Sequence, residues 1–136
     1  MYLLDTNVIS ELRRPRPHGA VLAWVAATPN EEMFLSVVTL GEIQYSIETI
    51  WPRDPAKADA LEGWADDLAA RPNLLAMNGE AFRLWARLMQ GRPDELYEDA
   101  MLAATALVHG LMVVTRNVRD FVGMGVEVFN PFDFGR

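Results

Sequence analysis

Short apolar runs alternate along this chain with longer stretches in which apolar side chains recur every three or four positions. Leu3-Leu4, Met33 to Ser36, Leu74 to Ala76, Leu111 to Val114 and Val126 to Phe129 read as five strands. They are short and continuously apolar, as expected when helices cover both faces of a sheet. Between them the helical period predicts helices over 7–14, 18–27, 38–51, 56–70, 79–90 and 95–109. Pro15 and Pro17 stop the first, Pro29 breaks the second, and Pro52 and Pro55 separate the third from the fourth. In the third, Leu40, Ile43, Ile47 and Ile50 share one face. The stretch 100–108 is apolar all round, which predicts a helix buried at the centre, with Thr105 as a core residue bonding back to a carbonyl. Strands alternating with helices argue for an α/β layered fold: a mostly parallel central sheet of about five short strands, flanked by helices. A chain of 136 residues suits one domain over 1–136.

Composition narrows the function classes. With 51% hydrophobic residues the chain is not disordered. No apolar run approaches the roughly 20 residues of a bilayer span. The N-terminus has no basic segment of a signal peptide, so the expected location is cytoplasmic. Without cysteine there is no disulfide or thiolate metal site, and His18 and His109 lack zinc-like spacing. The net charge of −7 argues against a simple nucleic-acid-binding module. It leaves room for an enzyme whose bound cations neutralise part of its site. Lys57 is the only lysine. Arg13, Arg14 and Arg16 cluster after the first turn, and Arg116 and Arg119 flank the last acidic candidate. Arginine forks suit phosphate, and Arg116 is the substrate-binding candidate, although solvated surface is the simpler reading for any one of them.

Four acidic residues carry the candidate chemistry. Asp5 ends the first strand, where ligands bind in open α/β sheets; it is equally a helix N-cap. Glu42 follows the second strand, and Thr39-x-x-Glu42 also reads as a capping box with Thr39 as N-cap. Asp99 stands at the entry to the buried helix, where an ionised group needs a partner or a helix dipole. Asp120 follows the fourth strand, with pairing to Arg116 or Arg119 as the plainer alternative. Thr115 and Asn117 sit closer to that strand's end, and Asn117 is placed to bind a metal-coordinated water. Together these residues predict an anionic cluster at one sheet edge. Like charges held that close repel unless some are protonated or a cation joins them. The donors are all oxygen, which selects Mg²⁺ or Mn²⁺ over zinc.

At these residues the chain resembles a known family. Leu4-Asp5-Thr6-Asn7-Val8-Ile9-Ser10-Glu11-Leu12, Ser36 to Ile43, Asp99 to Ala106, Val113 to Phe121 and Val128-Phe129-Asn130-Pro131-Phe132 look like PIN-domain ribonucleases, in particular VapC toxins of the FitB-like branch. The match spans the chain in order. It implies a PIN fold and a site for one or two Mg²⁺ or Mn²⁺ ions, held by Asp5, Glu42, Asp99 and a fourth position. Many members carry Asp where this chain has Asn117, so Asn117 and Asp120 both remain candidates there. Thr115 matches a supporting hydroxyl, beside Thr6 and Asn7. The resemblance implies a Mg²⁺-dependent endoribonuclease toxin of a type II toxin–antitoxin pair. Its implied partners are an RNA substrate, with transfer RNA among the candidates, and a VapB-like antitoxin through which alone DNA is bound. It also implies a homodimer, assembling into a heterotetramer or larger with the antitoxin. An apolar groove between the first two helices (Val8, Ile9, Leu12, Val21, Leu22, Trp24, Val25) is the candidate antitoxin surface, with core as the favoured reading for most of them. Trp51, Trp64 and Trp85 read as core or dimer-interface anchors.

Three other readings compete. A catalytically weak PIN-fold protein that only regulates or binds antitoxin follows if the fourth-position change disables the site. A receiver-like module needs a lysine after the last strands, and Lys57 lies elsewhere. An aspartyl-phosphate phosphatase needs Asp-x-Asp, and here Asn7 stands at the second place.

Overall fold

The computed structural model describes residues 1–136. Five strands form one parallel sheet: β1 (Tyr2–Leu4), β2 (Met33–Ser36), β3 (Leu74–Leu75), β4 (Met112–Val114) and β5 (Val128–Phe129), in the order β3-β2-β1-β4-β5. Six helices connect them: α1 (Thr6–Arg13), α2 (Gly19–Ala27), α3 (Val37–Ile50), α4 (Pro55–Ala69), α5 (Gly79–Leu88) and α6 (Tyr97–His109). The expected α/β fold is present, and every strand pair is parallel. The predicted elements are all found, with ends displaced by one or two residues.

Alternation along the buried strands divides the core. Leu4 and Val114 enter one cluster with Val8, Val21, Trp24, Ile43, Ile47 and Leu68 from α1 to α4. Leu3 and Val113, each one residue earlier, enter the other with Ala100, Leu102, Ala103 and Ala106 of α6. The alanines let α6 lie close against β1 and β4. Thr105 is buried as expected, and its hydroxyl donates to the Met101 carbonyl at 2.8 Å. Gly110 ends α6 in the left-handed region (φ 66°), with Leu111 N–H bonded back to the Ala106 carbonyl at 2.8 Å. No helix is long and apolar enough to cross a membrane.

The strand order reverses between β1 and β4. In open α/β sheets a crevice forms outside the carboxyl ends of the strands at such a point. Register puts Leu4 beside Val114, so Asp5 and Thr115, the next residues, emerge side by side from that edge.

One expectation is overturned and another narrowed. Thr39 does not cap α3. Ser36 does, accepting a bond from Val38 N–H at 3.0 Å, because β2 runs into the helix without a turn. Glu42 is therefore in the second turn, beyond reach of the N-terminal amides. Of the two roles expected for Trp51, core or dimer-interface anchor, the core is excluded: it is 48% exposed just past the end of α3.

Candidate metal centre

Asp5 fulfils the capping reading of its sequence position. It caps α1, accepting Thr6 N–H on Oδ1 at 2.7 Å, and it is buried at the reversal point. Its second oxygen accepts the Thr115 hydroxyl at 2.8 Å and Asn7 Nδ2 at 3.3 Å. The Thr115 hydroxyl in turn accepts from Asn7 Nδ2 at 3.1 Å and from Asn117 N–H at 3.0 Å. Asn7 Oδ1 accepts Arg116 N–H at 3.1 Å. These bonds tie the start of α1 to the loop after β4 and fix both oxygens of Asp5. Burial still raises its pKa; the bonds from Thr115 and Thr6 oppose that, and the charge of Asp120 adds to it.

Glu42 is half-buried on α3. Its Oε1 accepts the Thr6 hydroxyl at 2.9 Å, and that hydroxyl lies 3.0 Å from Thr39 Oγ1. Thr39 thus supports the site sideways and does not act as a cap. Burial raises the Glu42 pKa; the Thr6 bond counters it, and Asp5 and Glu98 reinforce it by repulsion.

Asp99 stands in the first turn of α6, which has no side-chain cap. It has no side-chain hydrogen bond. Its pKa rises from the ordinary 3.8 to about 7, through burial first and then through the charges of Asp5, Asp120, Glu42 and Glu98. Asp120 lies on a short 3-10 turn over Val118–Phe121. The structure's ion pairs are Glu11 with Arg14 and Asp133 with Arg136, so neither Arg116 nor Arg119 neutralises Asp120. Arg116 is exposed and stacks over the Phe132 ring at 4.6 Å. Asn117 joins the site through its backbone N–H, while its side chain is exposed.

The electrostatics bring Asp5, Glu42, Asp99 and Asp120 into one field. Sequence reasoning missed Glu98, which repels both Glu42 and Asp99, although it directly precedes Asp99. No three acidic or histidine side chains stand in metal-coordinating geometry. The oxygen-only donors and the uncompensated charge fit a hard divalent cation that keeps several of its waters.

For most of the candidate antitoxin groove the favoured core reading holds. Val8, Ile9, Val21 and Trp24 are buried, because α1 and α2 close on each other and on the sheet. A cleft of about 750 Å³ instead opens where Leu12 and Val25 meet Leu35, Trp64 and Arg71. Glu11 fastens the α1–α2 turn: it accepts His18 N–H at 2.9 Å, the leading reason its pKa is lowered.

An all-parallel sheet with carboxylates around its reversal point defines a class of protein, and the sequence agrees with the geometry. The pattern of the PIN domain matches residues 2–124, and the chain belongs to the PIN-domain family. It is 36% identical to "VapC ribonuclease Y4jK" of Sinorhizobium fredii over 98% of this chain and 99% of that protein. It is 32% identical to "Toxin FitB" of Neisseria gonorrhoeae over 97% and 99%. Among solved structures, a chain in "Structure of FitAB bound to IR36 DNA fragment" superposes with a TM-score of 0.82 at 30% identity, covering 100% of this chain and 99% of that one.

Proposed function

We propose that this protein, as one domain over 1–136, is a divalent-metal-dependent endoribonuclease and the toxin of a type II toxin–antitoxin pair. The observation that carries the reading is the set of coupled carboxylates at the β1–β4 reversal point, unpaired with arginine, with Asp99 pushed up to about 7. Its relatives named as a VapC ribonuclease and as Toxin FitB supply the reaction class and the biological setting.

Asp5 and Asp99 are the residues to hold Mg²⁺ or Mn²⁺, with Glu42 orienting water and Asp120 completing the anionic wall. When bound, the ion supplies charge stabilisation at the phosphate and lowers the pKa of water. Thr115, Asn7 and the Asn117 N–H keep Asp5 in one orientation, so little reorganisation accompanies the reaction. Thr6 does the same for Glu42. Arg116, exposed above Phe132, is placed to contact an RNA phosphate. Asp120 fills the fourth position in preference to Asn117, because its charge reaches Asp5 and Asp99.

An antitoxin helix fits the cleft lined by Leu12, Val25, Leu35 and Trp64. An arginine from its tail would find the acidic edge complementary. The assembly would hold DNA through the antitoxin, as a homodimer or larger complex in the cytoplasm. The deciding experiment incubates the purified chain with structured RNA in magnesium and in EDTA, and sequences the new ends. Cleavage in magnesium alone supports the reading. No cleavage in either condition leaves the catalytically weak, antitoxin-binding alternative.

A further inference from the structure

Arg116 is anchored beside the acidic edge and does not pair with it. Its backbone N–H donates to Asn7 Oδ1 at 3.1 Å, and Asn7 Nδ2 in turn donates to the Asp5 carboxylate at 3.3 Å. Arg116 and Asp120 line one cleft of about 640 Å³. Yet Arg116 belongs to neither of the structure's two ion pairs. Its guanidinium lies over the Phe132 ring, 4.6 Å from the centroid. Arg119 also lines the cleft, but adjacent residues on a helical turn do not face each other, which sets it aside from Asp120.

The ring is fixed. Phe132 is 6% exposed, in a short turn that starts at Pro131. Its N–H donates to Asn130 Oδ1 at 3.0 Å, and the His18 ring meets it edge-on at 5.2 Å. An exposed arginine gains about as little from a carboxylate in water as from an aromatic face. A ring that loses no freedom on contact therefore decides between the two. We propose that Phe132 is a positioning residue: its ring holds the Arg116 guanidinium off Asp5 and Asp120, so that the chain does not neutralise its own metal site. The inference rests on the metal-dependent reading above and deepens it. Carboxylates left without an arginine keep their attraction for a divalent ion. The guanidinium, held on the ring, stays available to phosphate.

The test is manganese binding by the full chain, read from the electron paramagnetic resonance of the free ion. Phe132→Leu is expected to weaken binding about two- to fivefold, because Arg116 is released to the carboxylates. Phe132→Tyr keeps the aromatic face and is expected to bind like the parent. In an Arg116→Gln background, Phe132→Leu is expected to change nothing, since no guanidinium remains to be released. Pentafluorophenylalanine at position 132 keeps the shape of the ring and reverses the charge on its face. It is expected to weaken binding as Phe132→Leu does, and it decides the matter if the leucine variant does not fold. Parent-like affinity with either altered ring overturns the proposal. So does an equal loss in the Arg116→Gln background, which makes Phe132 ordinary packing. Manganese binding that ignores the ring overturns the platform alone. A parent protein that binds no manganese overturns the metal reading and the platform together.

Discussion

Asp5 and Asp99 belong to the same acidic edge and are held in contrasting ways. Asp5 is buried, and both of its oxygens accept hydrogen bonds, from Thr6, Thr115 and Asn7. Asp99 has no such partner, and its charge is opposed by burial and by four neighbouring carboxylates. One carboxylate is fixed in place by the fold. The other is left in a field that only a proton or a cation relieves. A rigid ligand gives a metal site its geometry, and an uncompensated one gives it affinity.

The contrast is broken most directly at the carboxylates. Asp5→Asn and Asp99→Asn should each lower metal-dependent RNA cleavage on the order of 10³-fold or more, because each removes a ligand to the ion that stabilises the transition state. Circular dichroism should show both variants folded, and wild-type-like cleavage by either would refute its assignment. Magnesium titration sharpens the electrostatic half. Asp99 binds its proton more tightly in the folded chain, so the metal-free protein should lose stability as pH rises from about 4 through about 7. Magnesium should compete with that proton and raise the melting temperature more at pH 8 than at pH 5. At a concentration of 100 times Kd the gain is about 2.7 kcal/mol. A pH-independent shift, or the same stability slope in Asp99→Asn, would contradict this account.

The fixed half is tested through its hydroxyls. Thr115→Val keeps the shape of a fully buried side chain but removes the donor to Asp5 and the acceptor for Asn7 and Asn117. It should cost about 1–3 kcal/mol in urea unfolding and reduce cleavage. Thr6→Val, beside the less buried Glu42, should cost only about 0.5–1.5 kcal/mol. Equal losses would mean that Asp5 is no more rigidly held than Glu42.

Much of this arrangement was legible in the chain itself. The short apolar runs and the proline stops located every strand and helix, because burial on both sheet faces leaves no other pattern for them. Asp5 and Thr115 were found because each directly follows an apolar strand. Thr39 was misread because the Thr-x-x-Glu spacing is the same whether a helix starts at residue 37 or residue 40, and only the path from β2 into α3 distinguishes the two. Trp51 stood between core and dimer interface because an aromatic at a helix end carries no periodic signal, and its exposure excludes the core.

Residue order along 136 positions determined the alternation of strands and helices, the acidic strand ends and the oxygen-only donor set. Those follow from local period and residue chemistry. Tertiary structure alone decided that β1 lies between β2 and β4, which joins Asp5 to Thr115 across 110 residues and leaves Asp99 exposed to four other charges. Strand order and mutual repulsion depend on distances between segments remote in sequence, and only the packing of both sheet faces fixes those distances.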